Sequence, residues 1–209
     1  MVVSSDLVPL SHVVDRLRLE DASDVSICAK TRILQGPTDL LKFFEAVSRL
    51  QGPVTSVEVE ILEINPDEDD SWFNISPIYQ CSDIRKFVLI CPRMLPVTDD
   101  DAQTMLTMWR DLECLVLNPK PQNAPSLVPQ MTFRTLNHVA EYGTTLLEAA
   151  FFLHARRNLQ ITATMPSETL QSLDLGLSPG HNGQQPDEID RIALLLNGLF
   201  PKLDKFTWL

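Results

Sequence analysis

The chain has no pair of cysteines in CxxC spacing. Its four cysteines, Cys28, Cys81, Cys91 and Cys114, are scattered along 209 residues. A secreted disulfide framework is therefore not expected, and reduced thiols in the cytoplasm or nucleus are. Cationic residues are also scarce, with 17 Lys and Arg against 28 Asp and Glu and a net charge of -11. Without a basic face, neither a nucleic-acid nor a membrane partner is expected. No run of about 18 apolar residues offers a membrane span. The start, MVVSSDLVPLSHVV, lacks the basic opening, apolar stretch and small-residue cleavage site of a secretory signal. The one sequon, Asn74-Ile75-Ser76, is accordingly expected to be idle.

Most signatures of catalysis are missing as well. HExxH, a P-loop and GxGxxG are absent from the sequence, so the familiar metal and phosphate devices are not written here. The histidines, His12, His138, His154 and His181, share no ligand spacing with the cysteines, and neither a metal nor a cofactor is expected. NPDEDDSW (65–72) crowds four acids but lacks the glycine and distal glutamate of a calcium loop, so it reads as solvated loop. Trp72, Trp109 and Trp208 have no interleaved basic residues, so they read as core or groove filler, not as a stacking platform.

What is there is a rhythm. LQSLDL (170–175) places leucines first, fourth and sixth, and LECLVL (112–117) and LDKFTW (203–208) follow the same pattern. Written as apolar-x-x-apolar-x-apolar, it recurs at Ile84-Phe87-Leu89, Leu112-Leu115-Leu117, Leu146-Ala149-Phe151, Leu170-Leu173-Leu175 and Leu203-Phe206-Trp208. A weaker copy is Ser56-Val59-Ile61, and an earlier one is Val14-Leu17-Leu19. Alternating apolar places over six residues predict short strands.

Helical patterns fill the gaps. PTDLLKFFEAVSRL (37–50), VTDDDAQTMLTMWRDL (97–112), FRTLNHVAEYG (133–143) and PDEIDRIALLLNGLF (186–200) each carry an apolar face or cap signals. Thr98 is the predicted N-cap of the second, with Asp99, Asp100 and Asp101 at the positive end of its dipole. Gly143 is the predicted C-cap of the third and Pro201 stops the fourth. Strand and helix alternating every 24 to 34 residues from position 61 onward predict an α/β chain with sequential parallel strands and helices on the outer, convex side. Single units of this kind cannot bury their apolar faces alone, so they must stack. The alternative is a doubly wound α/β sheet, on which Asp99 to Asp101 could serve an enzyme at the carboxyl edge.

The strand motif is the leucine-rich-repeat signature, with Asn118 nearest to the asparagine that regular repeats carry. SPIYQCSDIRKFVLICP (76–92), TDDDAQTMLTMWRDLECLVLNPKP (98–121) and LQSLDLGLSPGHNGQQPDEIDRIALLLNGLFPKL (170–203) resemble the C-terminal half of F-box-like proteins of mushroom-forming fungi. That resemblance covers roughly residues 38 to 209. It implies an irregular leucine-rich-repeat solenoid acting as the substrate-recognition array of a ubiquitin ligase. Residues 1–37 carry no F-box pattern, so a cullin-ligase adaptor is expected as a partner only if an F-box lies upstream. A single repeat-like domain, 1–209, of about six to seven strand–helix units is expected, with both ends reading as truncated.

In such an array the third, fifth and seventh places of each motif line the inner surface. The columns give Glu58, Glu60 and Leu62, then Lys86, Val88 and Ile90, then Cys114, Val116 and Asn118, then Glu148, Ala150 and Phe152, then Ser172, Asp174 and Gly176. Glu60, Lys86, Val88, Val116, Asn118, Phe152 and Asp174 are the candidate contacts for a protein partner. A covered sheet stands beside that reading: loops 118–131 and 154–168 could fold over Val88, Val116 and Phe152. A truncated product without a partner is a further alternative.

Overall fold

The computed structural model describes residues 2–4, 7, 11, 14, 23–34, 38–50, 52–64, 73–122, 128–154, 160, 162–179 and 186–209. Along the chain come β1 (Val2–Ser4), β2 (Val25–Leu34), α1 (Asp39–Ser48), β3 (Val54–Ile64), a 3-10 turn (Ser76–Gln80), β4 (Lys86–Ile90) and α2 (Asp99–Met108). Then follow β5 (Cys114–Leu117), α3 (Phe133–Tyr142), β6 (Glu148–Phe151), β7 (Ser172–Asp174), α4 (Pro186–Leu199) and β8 (Lys205–Thr207). The strands form one open eight-stranded sheet in chain order, β1 to β8, and every neighbouring pair is parallel.

Parallel neighbours need a crossover, and crossovers in one sheet are right-handed. Strands laid down in strict order therefore put their covering segments on a single face. Burial follows: Val57, Val59 and Ile61 of β3, Phe87 and Leu89 of β4, and Leu115 and Leu117 of β5 are inaccessible, while Glu58, Glu60, Lys86, Val88 and Val116 between them are half-buried. Strand order never reverses, so the crevice that a doubly wound sheet opens at its reversal point has no place to form.

The helices begin and end where local chemistry directs. Thr98 caps α2 through a reciprocal box: Asp101 N–H donates to Thr98 Oγ1 at 3.2 Å, and Thr98 N–H donates to Asp101 Oδ2 at 2.9 Å. Asp99, one residue on, reaches the next helix. It accepts from Thr132 N–H at 2.7 Å, Thr132 Oγ1 at 2.8 Å and Thr135 Oγ1 at 2.6 Å, tying the start of α3 to the start of α2. The three aspartates thus serve helix starts, as expected for TDDDAQ. Beneath them an aromatic string joins α1 to β4 and the chain after α2. Phe43 and Phe44 rings lie 5.4 Å apart, Phe44 and Phe87 6.1 Å, and Phe87 and Trp109 5.1 Å. Each fully buried phenylalanine contributes roughly 1.5–3 kcal/mol.

Two strand expectations need correction. Val14 was expected to open a strand; it is helical and buried, while Leu17 and Leu19 lie outside the described residues, as does the NPDEDDSW segment. The strand of that region is β2. Its motif is masked because its register shifts between Val25 and Ser26 and because Ala29 and Thr31 occupy apolar places. In β3 the unit is Val54-Val57-Val59, since Val57 lies opposite Phe87 and Val59 opposite Leu89. The phase Ser56-Val59-Ile61 is two residues too late. A slip of two leaves the same side chains facing inward, so alternation cannot detect it, whereas a slip of one would turn every side chain over. In the corrected phase Ala29, Val59 and Leu89 fall at equal intervals of 30 residues.

Candidate interaction surface

With the register fixed, the open face reads as rows running across the strands. One row holds Ser26, Ser56, Lys86, Cys114, Glu148, Ser172 and Lys205, and the next holds Cys28, Glu58, Val88, Val116, Ala150, Asp174 and Thr207. In a third, Lys30 lies opposite Glu60 and Glu60 opposite Ile90. Glu60 therefore does not share a row with Val88, as the sequence columns had it; Glu58 does, for the same two-residue reason.

Val88 and Val116 are side by side and half-buried. Ile90 follows Val88 on the same face, and Leu62 lies diagonal to Ile90, one place past Glu60 on that face of β3; the two are 42% and 44% exposed. Together they make an aliphatic patch whose side chains, three of them β-branched, lose little rotamer freedom on contact. Ion pairs frame it: Lys86 Nζ stands 2.8 Å from Glu58 Oε1, and Lys30 Nζ stands 2.8 Å from Glu60. The hydrogen bond to Glu58 holds the Lys86 ammonium above its ordinary range, with the Glu148 carboxylate adding to the effect. Further along, Lys120 Nζ is 3.5 Å from Asp174 Oδ2, and Arg32 lies 3.9 Å from Glu63.

Two candidate contacts are not presented to a partner. Asn118 is 2% exposed and sits at φ 43°. Its Nδ2 donates to the Arg93 carbonyl, its Oδ1 accepts from Cys91 N–H at 3.4 Å, and its own N–H donates to the Leu89 carbonyl at 2.9 Å. The left-handed turn after β5 folds the amide back onto the backbone of the preceding unit, leaving nothing for a ligand. Phe152 is 3% exposed. It sits where the chain turns past β6, held by Leu153 N–H donating to Ser178 Oγ at 2.9 Å and Ser178 Oγ donating to the Phe151 carbonyl. The expected alternatives of open and covered sheet thus divide along the strands, open over Val88 and Val116 and closed at Ala150 and Phe152. Asp174 remains half-exposed, but one of its oxygens accepts from Gly176 N–H at 2.7 Å.

Two thiols, Cys114 on this face and Cys91 in the core, are held in the protonated form. Burial, helped by the nearby Glu148 carboxylate, pushes the Cys114 thiol up to about 11, and burial pushes Cys91 up to about 12. Both stay protonated at neutral pH and are poor nucleophiles and metal ligands. Among the described residues no three His, Cys, Asp or Glu side chains could share a metal ion, and no helix is long and apolar enough to cross a membrane.

On the covered side, near the β8 edge, Ile192, Leu196, Phe200, Leu203, Phe206 and Trp208 line an apolar groove of about 230 Å³. Phe206 is 45% exposed, although its counterparts Leu173, Ala149, Leu115 and Phe87 in the same row are buried. No family model, no curated protein and no solved structure matches the chain.

Lys30 was missing from the sequence columns because β2 was. Leu62 and Ile90 were in the columns, but nothing in one sequence separates an exposed inner-face aliphatic from a covered one.

Proposed function

We propose that the chain is a protein-interaction module, an irregular leucine-rich-repeat solenoid that holds a partner protein on its open sheet face. The observation that carries this reading is the patch of Leu62, Val88, Ile90 and Val116, left accessible on a regular face and rimmed by Lys30–Glu60 and Lys86–Glu58. An apolar centre inside a polar rim is the anatomy of an interface. The four thiols are free, which supports the cytoplasm or nucleus as its compartment. Its specific form, the substrate-recognition array of a ubiquitin ligase, rests on the resemblance of residues 76–92, 98–121 and 170–203 alone. On that form, the cullin-ligase adaptor is a partner only if an F-box lies upstream.

The test is a tagged capture from fungal lysate with three baits: wild type, Val116→Asp on the open face, and Thr107→Lys on the exposed side of α2. A stoichiometric protein lost only with Val116→Asp is expected. A protein retained by that variant, or lost only with Thr107→Lys, would place recognition elsewhere and overturn the reading. Adaptor peptides beside the partner would support the ligase form.

A further inference from the structure

On the reading that the open face binds protein, we infer that the partner meets the aliphatic patch with an uncharged aliphatic segment, and that charge contributes little to the contact. Near the patch, Lys30 and Lys86 are each held 2.8 Å from a carboxylate, Glu60 and Glu58. Beside Val88 and Ile90 the charges are therefore neutral in pairs although the whole chain carries -11, and Glu148, a carboxylate with no ion pair among the described residues, stands two strands from Lys86 beyond Cys114. A partner lysine or glutamate placed over Val88 or Ile90 would face a cation and an anion at comparable distance and would gain almost no net attraction. It would also lose its hydration, or compete with a charge pair already made, and both oppose binding. An aliphatic side chain meets no such opposition: it covers the exposed 42% of Ile90 and 44% of Leu62 and leaves the pairs intact at the wet edge.

The experiment is selection from an unbiased phage-displayed library of short random peptides on the intact chain, with affinities then measured on wild type, Val88→Asp and Ile90→Lys. All three proteins are first compared by circular dichroism and thermal melting. The two substitutions lie on the solvent face and should melt close to wild type; if one does not, the other carries the test. Enriched peptides are expected to share an uncharged aliphatic centre, to weaken at least about tenfold on either variant, and to change less than about threefold between about 50 and about 500 mM salt. Peptides enriched in Lys and Arg, or in Asp and Glu, with affinity falling more than about tenfold over that salt range, would overturn the neutral-contact inference and leave the docking face standing. No enrichment, or binding indifferent to both substitutions, would sink this inference and the docking-face reading with it.

Discussion

Gly176→Ala is the sharpest single perturbation of the turns that join strand to covering segment. Gly176 follows the last apolar place of its unit, as Asn118 does in β5, and both have positive φ, 48° and 43°. A Cβ at Gly176 would lie 2.0 Å from the Pro119 carbonyl oxygen and 2.6 Å from its carbon, atoms of the neighbouring turn's backbone that cannot swing aside. The left-handed conformation alone costs an alanine roughly 1–2 kcal/mol. Relief of the clash also requires the two turns to part, weakening Leu177 N–H to the Pro119 carbonyl (3.0 Å) and Leu209 N–H to the Gly176 carbonyl (2.7 Å), each contributing about 0.5–1.5 kcal/mol. The sum is about 2–5 kcal/mol, or a melting temperature lower by roughly 4–20 °C at this chain length. Thermal and urea melts followed by circular dichroism read it. Gly176→Asn separates the two causes, because asparagine tolerates the left-handed region but still carries the Cβ. We expect Asn to recover much of the left-handed cost and to keep the crowding loss of about 1–3 kcal/mol. Recovery of near-wild-type stability with Asn, or a loss below about 1 kcal/mol with Ala, would refute the crowding argument.

Other outcomes follow from the same geometry. Asp99→Ala leaves Thr132 N–H and two hydroxyls without their acceptor and should cost about 2–4 kcal/mol, while Asp100→Ala, whose Arg134 contact is exposed at 3.5 Å, should cost under about 0.5 kcal/mol; paired urea melts compare them. Lys86→Ala removes a half-exposed pair and should shift stability by less than about 1 kcal/mol in the same assay. His138 is 7% exposed, with neither ring nitrogen hydrogen-bonded. Burial first, then Arg134, lowers its pKa below the ordinary 6.5. Its unfolded state takes up the proton first, so its contribution is full above about 6.5 and is lost as pH falls through the depressed folded value. His138→Leu should flatten that part of the stability–pH curve, and an unchanged slope would show that the ring is not kept neutral by the fold.

Much of the architecture was legible because leucine at places one, four and six is a direct record of what faces inward. Leu112-Leu115-Leu117 and Leu170-Leu173-Leu175 form the strands they announce, with all six side chains buried, and Thr98, Gly143 and Pro201 mark helix ends at their sites. Legibility failed where the inward residues were small or polar. Ala29 and Thr31 hid β2, and the run of alternating residues in β3 left its phase free by two. The candidate surface was harder to read, because exposure depends on what the rest of the chain lays over a residue. Asn118 and Phe152 directly follow the last apolar place of their units, as Ile90 does in its own, yet Ile90 is 42% exposed while the other two are buried. Local pairing cannot distinguish them: what separates them is an amide turned back to Arg93 and a turn held by Ser178.

The strict chain order of the sheet has a consequence for how the molecule comes apart. Among the described residues each strand pairs only with the strands beside it in sequence, so opening any single joint severs every strand-to-strand ladder between the part before it and the part after it. No distant strand bridges the gap. Protection against hydrogen exchange should therefore vary along the chain as it does in a zip fastener, highest in β4 and β5 beside the aromatic string and falling by steps toward β1 and β8. A partner that clasps Leu62, Ile90, Val88 and Val116 would bridge three consecutive strands, β3, β4 and β5, and would slow opening at the two joints between them.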